Sequence, residues 1–88
     1  MMFVILAYDV KVRRVHKARK ITEKYLQPVQ RSVFEGHLTE HTLKRLQGEL
    51  LNILDCEEES VLIYKQDFNG ELTRLQLGSR QMAAGMIL

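Results

Sequence analysis

Phe3-Val4-Ile5-Leu6-Ala7-Tyr8-Asp9 is a run of apolar and aromatic residues without alternation, closed by a carboxylate. A strand with one face in water alternates apolar with polar residues. A strand covered on both faces need not, so this run reads as a central strand with Asp9 at its C-terminal end. It is too short to cross a bilayer, which takes about 20 apolar residues, and no basic segment precedes it. Neither a membrane span nor export is expected.

Outward from that strand the period changes. Val15, Ala18, Thr22, Tyr25 and Leu26 recur at helical spacing, which predicts an amphipathic helix from Val12 to Leu26, ended by Pro28. At 100° per residue, Arg13, Lys17, Lys20 and Lys24 form one stripe opposite the apolar face, flanked by Arg14 and Arg19. Val29 to Leu38 reads as extended, either one bent strand or two, with Gly36 marking a bend, bulge or turn. Thr39 is placed to cap a second helix carrying Leu43, Leu46, Leu50, Ile53 and Leu54. The acidic run Asp55, Glu57, Glu58 and Glu59 reads as a solvated loop before the strand Val61-Leu62-Ile63-Tyr64. Asn69-Gly70 signals a turn, and Leu72 to Leu77 alternates as a last strand. The predicted order β-α-β-α-β-β is an α+β sandwich with both helices on one side of a sheet. Its other face needs a partner, and a symmetric dimer is the simplest one.

With 88 residues the chain is one small domain, 45% apolar and 27% charged, a balance that excludes disorder. At this size folding removes only about 60–65% of the chain's surface from water, so the core is marginal alone. The single cysteine, Cys56, makes no internal disulfide and suits a reducing cytoplasm, leaving oligomerisation as the source of added stability. Net charge is +2, but seven basic residues and one acidic residue between Lys11 and Lys24 leave +6 there and −4 on the rest. Such asymmetry is expected of a binding surface.

Two features carry possible chemistry. Asp9 offers an oxygen ligand of the kind Mg²⁺ prefers, or else caps the basic helix or solvates the strand end. The basic stripe is either a solvated helix face or a set of phosphate contacts. Without interleaved aromatics, those contacts would go to backbone and not to stacked bases. His16, His37 and His41 lack ligand spacing with Cys56, which argues against zinc. Ser32 has no His/Asp setting to activate it, Tyr8 and Phe34 read as core or interface, and no phosphate-binding glycine loop is present.

Three segments resemble the CRISPR-associated protein 2 family: Tyr8-Asp9-Val10, the helix opening with Arg13-Arg14, and Val29-Gln30-Arg31-Ser32-Val33-Phe34-Glu35-Gly36. The last is similar to the family's V-Q-x-S-V-F-E-G signature, Ser60 to Tyr64 resembles its S-V-x-I-Y strand, and Leu77-Gly78 a following L-G. The resemblance runs from Phe3 to about Gly78. It implies a ferredoxin-like domain with an antiparallel sheet over residues 1–78 and a tail over 79–88. It also implies a homodimer with sheets face to face, Met86-Ile87-Leu88 pairing with the other protomer. Asp9 is implied as the catalytic and magnesium-binding residue of an endonuclease or endoribonuclease. Arg13 and Arg14 fall where the family's basic residues meet DNA backbone, and Lys17, Lys20 and Lys24 extend that surface toward RNA or DNA. The setting implied is the CRISPR adaptation complex, spacer acquisition and antiviral defence with an integrase subunit. A non-catalytic scaffold bridging integrase subunits and duplex DNA is the alternative. A third reading, a small-molecule or acyl-phosphate-hydrolysing ferredoxin-like domain, leaves the V-Q-x-S-V-F-E-G match unexplained.

Overall fold

A computed structural model describes residues 1–79. The elements are β1 (Met2–Asp9), α1 (Val12–Glu23), β2 (Gln27–Gln30), β3 (Val33–Leu38), α2 (Glu40–Ile53), β4 (Ser60–Gln66) and β5 (Leu72–Gly78). They make one five-stranded antiparallel sheet in the order β2-β3-β1-β4-β5. β1 is central, as its unalternating run requires. The β1-α1-β2-β3-α2-β4 portion is the split βαβ arrangement of a ferredoxin-like fold, with β5 added outside β4.

Both helices cover one face. Met2, Val4, Leu6 and Tyr8 of β1 cluster with Phe34 and Leu38 of β3, Val61 and Ile63 of β4, Ala18 of α1 and Leu43, Leu46 and Leu50 of α2. The alternate residues of β1 lie on the other face, where Ala7, Val33 and Leu62 are buried and Phe3, Ile5 and Tyr64 are half-buried. Around them Glu35, His37, Arg74 and Gln76 are exposed, so this second face mixes apolar and charged groups.

Local chemistry sets the boundaries. α1 ends at Glu23, but Tyr25 and Leu26 N–H still donate to the Thr22 carbonyl, so the turn continues to Leu26 before Pro28 enters β2. Buried Thr22 returns its hydroxyl to the Ala18 carbonyl at 2.8 Å. The 29–38 region resolves into two strands joined at Arg31-Ser32. Gly36 is neither the bend nor the turn expected of it. It sits inside β3 under Leu26, where a Cβ would come 2.9 Å from Leu26 Cδ2. The irregularity falls instead between Pro28 and Gln30 of the exposed edge strand β2, where a missing N–H costs the sheet little. Thr39 caps α2 as expected, accepting from Thr42 N–H at 3.1 Å. At the β4–β5 turn Asp67 accepts from Asn69 and Glu71 N–H, and Gly70 takes φ +81°. The expected Met86-Ile87-Leu88 strand lies outside the described residues.

Two glycines make opposite predictions. Gly48 lies mid-helix in α2 with nothing within 4 Å of an added Cβ, so Gly48→Ala is expected to raise unfolding stability by about 0.5–1 kcal/mol in urea denaturation. Gly78, at φ +80°, would place a Cβ 2.1 Å from the Glu59 carbonyl oxygen, so Gly78→Ala is expected to destabilise by more than that gain. Equal effects of the two substitutions would contradict the β5–loop packing.

Candidate functional site

Asp9 ends β1 at the rim of the sheet. A cleft of about 280 Å³ opens there, lined by Tyr8, Asp9, Val10, Val15, Arg31 and Ser32. Three elements build it: the end of β1, the first turn of α1, and the β2–β3 turn that the Tyr8 N–H to Ser32 carbonyl bond (3.1 Å) holds against β1. Arg31 therefore faces the same space as Asp9. Sequence reasoning does not select it, because it occupies the unspecified position of the V-Q-x-S-V-F-E-G segment and the pattern gives it no signal. On the other flank Asp9 pairs in register with Ser60 of β4, and cross-strand partners share a face. Ser60 is fully buried and its hydroxyl has no hydrogen-bond partner among the described residues, as is true also of the Tyr8 hydroxyl beneath α1. Burial raises the Tyr8 phenol above its ordinary value, with Arg19 opposing and Glu23 reinforcing the effect.

Asp9 does not cap α1. The N-cap is Lys11, without a side-chain cap bond. The carboxylate that serves the start of α1 is Glu59, a member of the acidic run whose composition suggests only a solvated loop. Glu59 is buried and accepts from Lys11 N–H at 2.8 Å, Asp55 N–H at 2.8 Å and Arg14 Nε at 2.6 Å. Burial opposes its ionisation. The two backbone donors and the Arg14 guanidinium outweigh that and hold its carboxyl below the ordinary value. A buried negative charge beside the first turn of a helix is also favoured by the helix dipole. Glu58 and Lys11 form a second, exposed pair alongside.

The basic helix divides into two populations. Arg14 is held by Glu59, Arg19 by Glu23, and Lys24 by Glu49, which also accepts from the Tyr25 hydroxyl. That last cluster ties the end of α1 to α2 and lowers the Glu49 carboxyl, through Lys24 first and then Tyr25. Arg13, Lys17 and Lys20 are exposed and make no ion pair with any described residue. These three, on one stripe, are the cations that α1 keeps available for a polyanion.

The protein-family model for CRISPR associated protein Cas2 matches residues 2–74. The chain belongs to the Cas2 family. It is 39% identical over 88 residues, all of both chains, to CRISPR-associated endoribonuclease Cas2 3 of Thermodesulfovibrio yellowstonii. It is 44% identical over 68 residues to CRISPR-associated endoribonuclease Cas2 of Methanocaldococcus jannaschii, covering 77% of this chain and 60% of that protein. A solved structure, "Crystal structure of cas2", superposes with a TM-score of 0.70 at 36% identity, covering 93% of this chain and 97% of that one. The ferredoxin-like architecture is thus shared with Cas2 structures. Among the described residues no helix is long and apolar enough to cross a membrane.

The Cas2 family implies a magnesium ion, and the fit of these residues to it is partial within one protomer. Among the described residues no three His, Cys, Asp or Glu side chains gather into a metal-binding group. Asp9 does bring a carboxylate to the cleft, the ligand type that a hard cation keeping much of its water prefers.

The Glu59 network makes a pH prediction. A carboxyl whose folded value is depressed stabilises the fold above its unfolded value and loses that contribution as pH falls through the folded value. Wild-type stability is therefore expected to fall more steeply below about pH 4.5, the ordinary glutamate value, than that of Glu59→Gln. At neutral pH the variant should be less stable by about 2–3 kcal/mol, the scale of hydrogen bonds to a charged group. Parallel acid-unfolding curves for the two proteins would refute the assignment.

Proposed function

We propose that the chain acts as a homodimer in CRISPR adaptation, gripping a nucleic-acid backbone with α1 and hydrolysing phosphodiester bonds at Asp9. The observation that carries this reading is spatial. Asp9 and Arg31 share one cleft, and the first turn of α1, whose stripe carries Arg13, Lys17 and Lys20, forms its wall. The relatives' name, endoribonuclease, supports RNA as the substrate of cleavage.

In this mechanism Arg13, Lys17 and Lys20 neutralise backbone phosphates without reading bases. Arg31 meets the scissile phosphate inside the cleft, where its planar guanidinium can take two phosphate oxygens at once. Asp9 would hold Mg²⁺, which would supply Lewis-acid stabilisation of phosphoryl charge and lower the pKa of water. A single carboxylate is a sparse site, and in the proposed homodimer the Asp9 of the second copy would add to it. Water adds to phosphorus and gives up a proton, the bond to the leaving sugar oxygen breaks, and that oxygen takes up a proton. Val15 and Tyr8 bound the cleft on its apolar side and limit solvent access.

The sparseness of acidic ligands also favours a second reading: a non-catalytic dimer that bridges integrase subunits and supports duplex DNA on its basic helices during spacer acquisition. Asp9→Asn separates the two, measured for RNA cleavage and for spacer acquisition. A drop in cleavage of more than about a hundredfold is expected, and retained acquisition would assign the biological role to scaffolding. Unchanged cleavage would remove Asp9 from the mechanism.

Binding makes a separate prediction. Reversing Arg13, Lys17 and Lys20 together to Glu is expected to weaken nucleic-acid binding irrespective of sequence. The slope of log affinity against log salt should become shallower by about 0.7–0.9 for each phosphate no longer neutralised. Fluorescence anisotropy across a salt series reads both. Arg14→Glu should instead lower fold stability, because Arg14 answers the buried Glu59.

A further inference from the structure

The sheet face away from the helices carries its charges in an order that decides how a second copy can lie on it. Strand register draws one row straight across that face: Gln27 of β2, Glu35 of β3, Ile5 of β1, Tyr64 of β4 and Arg74 of β5. The row is apolar at its middle, where Ile5 and Tyr64 are half-buried. It is oppositely charged on its two sides, where Glu35 and Arg74 are exposed. Three strand spacings, about 14 Å, separate the backbones of Glu35 and Arg74, so the two do not pair within one protomer. No described residue makes an ion pair with either, and the Arg74 guanidinium donates to the neutral Gln76 side-chain oxygen at 3.2 Å.

Two identical faces that pack on each other are related by a two-fold axis lying between the sheets, and every contact then occurs twice. An axis running across the strands, along the row, sets Glu35 over the partner's Glu35 and Arg74 over the partner's Arg74. An axis running along the strands, between β1 and β4, reverses the row. Glu35 then meets the partner's Arg74, and Ile5 meets the partner's Tyr64. The next row follows the same reversal, laying Ala7 on the partner's Leu62. The first orientation juxtaposes like charges and the second opposite charges, so the charges select the second. The choice also decides where Asp9 goes. An axis along the strands keeps both copies of Asp9 at one end of the dimer, whereas an axis across them sends the two to opposite ends.

We propose that a second copy of this chain docks on this face with the two-fold axis along β1 and β4, its orientation fixed by two reciprocal Glu35–Arg74 ion pairs between protomers. The inference rests on the homodimer reading and deepens it by naming the residues that set the dimer's orientation. The apolar middle of the row supplies contact area, and the charges at its sides supply the choice between the two ways of closing it.

Sedimentation equilibrium on the full chain reads the dimer dissociation constant. Glu35→Arg and Arg74→Glu, both at exposed positions, are each expected to weaken self-association by about tenfold or more at low salt, because each turns both ion pairs into like-charge contacts. The loss should shrink in about 1 M salt, where screening reaches within about 3 Å. Glu35→Gln, which removes a charge without adding one, should cost about two- to fivefold and covers the case of a charge reversal that unfolds. Mixing the two reversed variants is the decisive arm. A Glu35→Arg protomer facing an Arg74→Glu protomer regains both opposite-charge pairs, so the mixture should form a heterodimer about as tight as the parent homodimer. A mixture no tighter than either variant alone overturns the proposal. If the parent dimerises and no substitution shifts its constant by as much as about twofold, the ion pairs fall and the homodimer stands. If the parent stays monomeric, both fall.

Discussion

The buried Glu59 carboxylate is the constraint on which the arrangement around the site depends. It takes one bond from the N-cap of α1, one from Asp55 at the start of the preceding loop and one from Arg14. One side chain thereby fixes the angle at which α1 leaves the sheet, the path of the 55–59 loop, and the start of β4. An ion buried so completely survives only because every side of it is answered, and for the same reason it does not tolerate removal of a partner. Gly78 and Ser79 close over this loop, Ser79 N–H and hydroxyl both bonding the Cys56 carbonyl at 2.8 and 2.7 Å. The rim of the sheet near Asp9 is consequently rigid on the β4–β5 side.

That rigidity has a functional meaning. Asp9 lies two residues before Lys11, so the bond from Lys11 N–H to Glu59 limits how far the β1–α1 connection can move. The β2–β3 turn approaches from the opposite side, held by the Tyr8 to Ser32 bond. Asp9 is thus set between two backbone anchors, with Arg31 on one flank and Ser60 on the other. On the proposed reading, a carboxylate that meets a second copy of itself, or a phosphate on a bound strand, would benefit from such preorganisation, because less ordering would remain to be done on binding.

Much of the fold was legible because its signals were local. The unalternating Phe3–Tyr8 run could only be central, Thr39 stood at cap position, and Asn69-Gly70 marked a hairpin turn whose Gly70 takes the positive φ. What was not legible depended on contacts between distant residues. Nothing in Asp55-Cys56-Glu57-Glu58-Glu59 distinguishes the one glutamate that folds inward, since two of its partners, Lys11 and Arg14, are more than forty residues away. Gly36 reads as a break by composition, whereas its reason is the Leu26 side chain crossing over it. Ser60 was visible as a motif member and Arg31 was not, and the adjacency of both to Asp9 comes from strand order, which a linear pattern does not state.

The charge asymmetry shows the same distinction in energetic form. Counted along the chain, segment 11–24 is a strongly basic block. Counted in space, Arg14, Arg19, Lys24 and Lys11 are each answered by a carboxylate, three of them from outside α1. Part of the apparent cationic surface is therefore the positive half of internal electrostatics, and its removal would be felt as a weakened fold. The residual stripe of Arg13, Lys17 and Lys20 is small, and on the proposed reading a backbone grip would need two protomers to reach useful affinity. Doubling a three-cation surface across a two-fold axis would space two contacts along one duplex or strand, and the second contact would form at high effective concentration. A modest net charge of +2 is compatible with the proposed nucleic-acid binding for that reason: symmetry, and not charge density on one chain, would supply the avidity.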